Sequence, residues 1–132
     1  MSLLLLDTTF LVDAERDELA LDAVIGDEDD VAIAAVTVAE LLVGVALASG
    51  RKRSARQEYV DDIVGSIPVI PYDTQVAVEH VQLLTAVRNT GRPRGAHDLL
   101  IAATARATER TVVTADGSAF TDLPGVTVQG HR

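Results

Sequence analysis

The sequence contains no cysteine, few aromatic residues and fewer basic than acidic residues. Without cysteine, disulfide bonds and thiolate metal sites are both excluded. Aromatic residues make up 3% of the chain and hydrophobic residues 48%, so the core is predicted to consist of Leu, Val, Ile and Ala side chains. At 132 residues the chain is long enough to bury such a core, and we expect one domain over residues 1–132.

The chain also lacks a recognisable signal peptide and a convincing membrane span. No basic residue stands within the apolar residues 1–6, and Asp7 follows them at once. Residues 31–50 carry one charge, Glu40, but a carboxylate in the middle of a helix is costly in a bilayer. That stretch divides better into a buried strand and a helix. We therefore expect a cytoplasmic protein with no membrane contact.

The net charge of -9 is unevenly distributed. Residues 1–30 contain ten acids and one base, whereas the rest of the chain contains ten of each. An excess of acid disfavours a nucleic-acid partner. However, seven of the bases fall into two clusters, which are either solvated segments or basic rims beside an acidic centre. The clusters are Arg51, Lys52, Arg53 and Arg56, and then Arg88, Arg92 and Arg94.

Short apolar runs alternate with segments of helical periodicity. Strands are predicted at residues 3–6, 31–35, 67–70, 111–114 and 126–128, and helices at 10–25, 37–48, 52–65, 74–89 and 97–109. Thr8 or Thr9 is expected to cap the first helix and Thr37 the second, with Ser49 and Gly50 ending the second. The alternation predicts an α/β fold with a mainly parallel sheet. Continuous apolar runs favour strands that are covered on both faces.

Four acids stand in apolar surroundings, where a charge is costly. Asp7 follows the apolar residues 3–6, and Glu40 is the single charge in residues 31–50. Asp98 precedes the apolar residues 99–103, and Asp116 follows residues 111–115. A buried carboxylate needs a cation, hydrogen-bond donors or a raised pKa. These acids are therefore the first candidates for a functional site.

Each of the four acids also has a simple structural explanation. Asp7 suits a helix N-cap, and Glu40 completes a Thr-x-x-Glu capping box with Thr37. Asp98 suits the start of a helix, and Asp116 suits a turn. Their placement is nevertheless coherent, because the carboxyl ends of parallel strands share one edge, where ligand clefts form. Four carboxylates there make an oxygen-only site suited to Mg²⁺ or Mn²⁺, which can activate water and neutralise a phosphodiester.

Four segments resemble the acidic motifs of PIN domains. They are residues 5–12, 36–44, 95–105 and 113–116, the last followed by Phe120 and by residues 124–126. Their order, their spacing and the total length resemble the VapC branch of that family, and the likeness covers essentially the whole chain.

The resemblance implies a Rossmann-like PIN domain, with a five-stranded, mainly parallel sheet flanked by helices. It implies a Mg²⁺- or Mn²⁺-dependent endoribonuclease toxin that cleaves structured RNA, such as transfer or ribosomal RNA. It also implies a homodimer, neutralised by a VapB-type antitoxin whose tail occupies the active-site groove. The basic clusters would contact either the RNA or the antitoxin. The catalytic and metal-binding positions fall on Asp7, Glu40, Asp98 and Asp116, with Thr9 and Thr114 in support.

The sequence departs from the family pattern in two places. Thr9 stands where relatives often have Asn or Ser, although a hydroxyl still hydrogen-bonds a neighbouring carboxylate or water. Ala119 stands where some relatives carry a further acid, which puts a second metal ion in doubt. Asp116 occupies a position of Asn or Asp, so it either binds metal or orients water. His97 is predicted to point outward.

Two other functions are compatible with parts of the pattern. A phosphotransfer enzyme also places Asp at the end of a first strand, but Thr9 stands where such an enzyme needs a second Asp. The chain's one lysine, Lys52, is also not suitably placed for that role. The other alternative is a catalytically inactive PIN-like module that binds RNA or protein, and the retention of all four acids argues against it.

Overall fold

A computed structural model describes residues 2–17 and 23–130, and its strands form one five-stranded sheet. The strands are β1 (Leu3–Leu6), β2 (Asp30–Ala34), β3 (Val69–Ile70), β4 (Thr111–Thr114) and β5 (Val128–Gly130). Their order is β3-β2-β1-β4-β5, and every neighbouring pair is parallel. The predicted α/β class and parallel sheet are therefore confirmed.

Helices connect the strands and cover both faces of the sheet. They are α1 (Thr8–Arg16), α2 (Ala35–Leu47), α3 (Gly50–Ser66), α4 (Thr74–Thr90) and α5 (Ala96–Thr108). A short 3-10 turn, Gly117–Ala119, follows β4. Within the described residues, no helix is both long and apolar enough to cross a membrane.

The core lies in two layers because side chains alternate between the faces of a strand. Leu5 of β1 packs in one layer with residues of α4 and α5, including Leu83 and Ala102. Leu4 and Leu6 pack in the other layer with residues of α1, α2 and α3. Each fully buried Leu side chain contributes roughly 1.5–3 kcal/mol. Burial on both faces explains why β1 is an unbroken apolar run.

The chain changes direction across the sheet between β1 and β4. From β1 it proceeds to β2 and β3 on one side, and it then returns to place β4 and β5 on the other side. The carboxyl ends of strands at such a reversal form the usual ligand crevice of open α/β sheets. Asp7 follows β1 and Asp116 follows β4, so the reversal lies between these two acids.

The predicted helix caps were wrong in two places. Asp7, and neither Thr8 nor Thr9, is the N-cap of α1, because its side chain accepts the Phe10 N–H. The second helix begins at Ala35 after the N-cap Ala34, so Thr37 lies inside the helix and cannot form a capping box with Glu40.

Three predicted boundaries also shift. Gly50 begins α3 instead of ending α2, which stops at Leu47. Asp17 ends α1, and the predicted continuation through residues 18–22 lies outside the described residues. The last strand begins at Val128, where pairing with Val112 starts, and not at Val126. The short β3 does lie at the sheet edge, as Pro68 predicts.

Candidate active site

Asp7 stands at the end of the central strand and is 2% exposed. Its Oδ1 accepts the Phe10 N–H at 2.9 Å and the Thr9 hydroxyl at 2.8 Å, and its Oδ2 accepts the Thr114 hydroxyl. Burial raises the pKa of Asp7, these hydrogen bonds oppose the rise, and the charge of Glu40 adds to it. Asp7 is thus a helix cap whose burial disfavours the charged form of its carboxyl group. Among the described residues, no basic side chain forms an ion pair with it.

Glu40 lies in α2 and is held from two sides. The Thr8 hydroxyl donates to Glu40 Oε1 at 2.7 Å and lies 3.2 Å from the buried hydroxyl of Thr37. On the other side, His97 Nδ1 is 3.4 Å from Glu40 Oε2. The prediction that His97 points outward was therefore wrong in part, because its ring reaches Glu40 although the side chain is 59% exposed.

Asp98 lies in the first turn of α5, and its pKa is affected by the other three acids. Its pKa is raised, first by burial and then by the negative charges of Glu40, Asp7 and Asp116, while His97 lowers it. Coulombic effects weaken quickly with distance in a solvated protein. The structure therefore places the other three acids that the sequence singled out close enough for their charges to affect Asp98.

Asp116 follows β4 and is connected to Asp7 through two hydroxyl groups. Its N–H donates to Thr114 Oγ1 at 2.9 Å, and that oxygen lies 3.1 Å from Thr9 Oγ1. The Thr9 oxygen in turn accepts the N–H of Ala115 at 3.1 Å. Thr9 and Thr114 thus bridge the ends of β1 and β4, and both contact Asp7, while their supporting role stays a prediction.

An open cleft of about 650 Å³ lies beside Asp98 and Asp116. Its other wall is formed by the loop between α4 and α5, including Arg92 and Arg94. A separate groove of about 140 Å³ lies between α1, α2 and α3, where Arg16, Glu40, Arg56 and Tyr59 contribute to the lining. Glu40 and Asp98 are thus reached from two different openings.

The predicted basic residues occupy three different settings. Arg51, Lys52 and Arg53 are exposed in the first turn of α3, and Arg88 is exposed near the end of α4. Arg92 and Arg94 lie in the wall of the larger cleft. Arg56 is half-buried and donates to the Gly44 carbonyl at 3.0 Å, so its guanidinium already serves a structural bond.

The four acids offer the oxygen ligands that a hard divalent cation prefers, but their side chains are not arranged as a complete coordination sphere. Within residues 2–17 and 23–130, no three Asp, Glu or His side chains are arranged as a ready metal-binding group. The donors are nevertheless carboxylate oxygens, and Mg²⁺ is usually held by one or two of them together with waters. The mutual repulsion that raises the pKa of Asp98 is the kind of interaction that a bound cation relieves.

Sequence reasoning missed several residues that orient the acids. The Thr8 hydroxyl donates to Glu40 and lies 3.2 Å from the Thr37 hydroxyl, and the Ser118 hydroxyl donates to Asp116 Oδ1 at 2.5 Å. For Ser118 the spacing Asp-x-Ser offered a signal, because Asp and Ser both favour turns, where their side chains make local hydrogen bonds. For Thr8 and Thr37 no signal existed, since their contact depends on how α1 and α2 pack.

Comparison with known proteins agrees with this arrangement. A sequence profile described as PIN domain matches residues 4–125, which is most of the chain and includes all four acids. The chain therefore belongs to the PIN domain family.

Individual relatives carry more specific names. Over 96 residues, covering 70% of this chain and 69% of the relative, the sequence is 34% identical to Toxin FitB of Neisseria gonorrhoeae. It is 28% identical over 97 residues, 74% of this chain and 72% of the relative, to the tRNA(fMet)-specific endonuclease VapC of Salmonella typhimurium. A crystal structure of VapBC-5 from Mycobacterium tuberculosis, a member of the VapBC family of toxin-antitoxin systems, superposes with a TM-score of 0.80. That match has 29% identity and covers 98% of this chain and 99% of the other.

Proposed function

We propose that this chain is a divalent-metal-dependent endoribonuclease and the toxin of a toxin–antitoxin pair. The observation that carries the proposal is that Asp98 and Asp116 line one open cleft at the carboxyl edge of the sheet. Thr114 joins Asp7 to Asp116 there, and His97 beside Asp98 contacts Glu40. A PIN domain with relatives named as a toxin and as an RNA endonuclease supports the same assignment.

Asp7, Glu40, Asp98 and Asp116 would hold Mg²⁺ or Mn²⁺. When bound, such an ion lowers the pKa of a coordinated water and neutralises charge on a phosphodiester. Asp7 is already fixed by its cap and by two threonine hydroxyls, so it supplies a preorganised ligand. Thr8 and His97 fix the direction of the Glu40 carboxylate from opposite sides.

A structured RNA, such as a transfer or ribosomal RNA, is the proposed substrate. The cleft beside Asp98 is open and polar, which suits a backbone phosphate more than an apolar small molecule. Arg92 lies in its wall with a largely exposed side chain, and Arg88 lies near by in sequence. Basic side chains at a cleft edge would offset the acidic centre and bring the phosphodiester close to it.

An antitoxin of the VapB type is the proposed protein partner, bound at the groove between α1, α2 and α3. The outer side of α2 is unusually apolar, since Leu42, Val43 and Leu47 are 41%, 55% and 83% exposed. An exposed apolar face beside a groove that contains Arg56 and Glu40 suits an amphipathic peptide. We also propose a homodimer, for which exposed apolar residues of α4 such as Val78 and Val81 offer a surface.

The function is tested by incubating the purified chain with total transfer and ribosomal RNA. We expect cleavage with Mg²⁺ or Mn²⁺, and loss of cleavage with a chelator or in Asp98→Asn. Asp62→Asn, an exposed acid of α3, is the matched control and should cleave like the wild type. RNA binding without cleavage under every metal condition would contradict the proposal and favour a non-catalytic binding module. Cleavage that persists after chelation would contradict metal dependence.

A further inference from the structure

Arg94 makes an unusual set of bonds with the backbone on the far side of the cleft. Its Nη1 donates to the Ser118 carbonyl at 3.0 Å and to the Ala119 carbonyl at 3.3 Å, and its Nη2 donates to the Thr121 carbonyl. One guanidinium therefore binds three backbone carbonyls within residues 118–121. The planar fork of donors on Arg suits such a contact, whereas a Lys ammonium is a single point of charge.

These bonds join the two segments that carry Asp98 and Asp116. Arg94 directly precedes Gly95, the N-cap of α5, and Asp98 lies in the first turn of that helix. The accepting carbonyls belong to the turn that follows Asp116, and Ser118 uses its hydroxyl to bond the Asp116 carboxylate. The Arg92–Asp122 ion pair also joins these segments, but both side chains are 67% exposed, so it contributes little.

We propose that Arg94 is a positioning residue, which sets the separation of Asp98 and Asp116 and thereby the affinity of the site for a divalent cation. The inference rests on the proposed metal-dependent function. It differs from the RNA or antitoxin contact expected from the sequence, because the guanidinium is already bonded to carbonyls.

Local packing makes the spacing at this point sensitive to small movements. A Cβ atom at Gly95 would stand 2.8 Å from Asp98 Oδ2, so the backbone beside Arg94 passes very close to the carboxylate. A shift of the loop by a few tenths of an ångström therefore changes the space available to Asp98. Residues that hold metal ligands in place are commonly worth about 10–100-fold in metal affinity.

The test measures Mn²⁺ binding by calorimetry, without RNA, for the wild type, Arg94→Ala and Arg94→Lys. The control is Arg110→Ala, because Arg110 likewise donates to backbone carbonyls, those of Leu4 and Asp30, near the opposite end of the strands. Both Arg94 variants are expected to bind Mn²⁺ about 10-fold more weakly. Arg110→Ala should lower the melting temperature without changing Mn²⁺ affinity.

The lysine variant separates positioning from an RNA contact. Lys keeps the positive charge but lacks the second donor nitrogen that Arg94 uses, so a weakened Mn²⁺ affinity in Arg94→Lys supports positioning. Unchanged Mn²⁺ affinity in both Arg94 variants, with a raised KM for RNA in Arg94→Ala, would overturn the inference while leaving the proposed function intact. If the wild type itself binds no Mn²⁺, the proposed metal site fails, and the role of Arg94 fails with it. Arg94→Lys also serves if Arg94→Ala does not fold.

Discussion

Replacement of Asp7 by Asn should abolish RNA cleavage without unfolding the protein. The Asp7 carboxylate accepts bonds from the Phe10 N–H and from the hydroxyls of Thr9 and Thr114. Asn has the same shape, and its Oδ1 can keep the bonds from Phe10 and Thr9. Its amide nitrogen would face Thr114, whose hydroxyl can accept that bond and turn its own hydrogen towards Thr9, 3.1 Å away.

The expected change in the free energy of unfolding follows from these contacts. Asn and Asp are about equally good N-caps. Asn also avoids the free-energy cost of burying a charge, which is the cost that raises the pKa of Asp7. The free energy of unfolding of Asp7→Asn at neutral pH should therefore stay within about 1 kcal/mol of the wild type, or rise. Asp7→Ala removes the cap and leaves the Phe10 N–H without its acceptor, so it should cost roughly 1–3 kcal/mol.

The two variants should lose RNA cleavage to a similar extent, although they differ in stability. Both variants lose a proposed metal ligand, and cleavage should fall by at least about 100-fold, since even partners of metal ligands are worth 10–100-fold. Urea denaturation without metal gives the stability, and cleavage of an end-labelled RNA with Mn²⁺ gives the activity. If Asp7→Asn is as destabilised as Asp7→Ala, or if either folded variant cleaves at the wild-type rate, the reasoning is refuted.

Three further predictions concern Asp98 and the basic cluster. Gly95→Ala should lower Mn²⁺ affinity several-fold at little cost in stability, because its Cβ would crowd Asp98 Oδ2 at 2.8 Å; calorimetry showing wild-type affinity would contradict this. The raised pKa of Asp98 stabilises the metal-free fold below about pH 4, and this contribution is lost as pH rises through the folded-state pKa. The melting temperature of Asp98→Asn minus that of the wild type should therefore increase as pH rises from about 4 to 7. A difference that stays constant with pH would contradict this prediction. Neutralising Arg51, Lys52 and Arg53 together should make RNA or antitoxin binding less dependent on salt. For RNA, the log–log slope should fall by about 0.7 for each single-stranded phosphate that the protein no longer neutralises. Unchanged slopes for both partners would exclude this cluster as an interface.

The sheet and the positions of the candidate acids were predictable because apolar runs mark the strands and the acids stand next to apolar runs. The strands are unbroken apolar runs, since helices cover both of their faces. Asp7 and Asp116 were identifiable because they follow such runs, and parallel strands bring their carboxyl ends to one edge. Asp98 was harder to place, because its helix follows a long excursion through α3 and α4, and its proximity became clear from the fold alone.

Caps and side-chain partners were not predictable to the same degree. The Thr-x-x-Glu pattern at Thr37 has the form of a capping box. However, the helix already begins at Ala35, two residues before Thr37, and Glu40 contacts Thr8 and His97 instead. The choice between a phosphate contact and a carbonyl contact for Arg94 depends on the path of the turn after Asp116. Such contacts join residues far apart in the chain, so no local pattern encodes them.

The convergence of the four acids on a divalent cation is tested most directly by anomalous diffraction at the manganese edge from crystals soaked in Mn²⁺. An anomalous peak should appear between the carboxylates of Asp7, Glu40, Asp98 and Asp116, and it should disappear in Asp98→Asn crystals. A peak at another place on the surface, or none at a concentration of Mn²⁺ that supports RNA cleavage, would contradict this convergence.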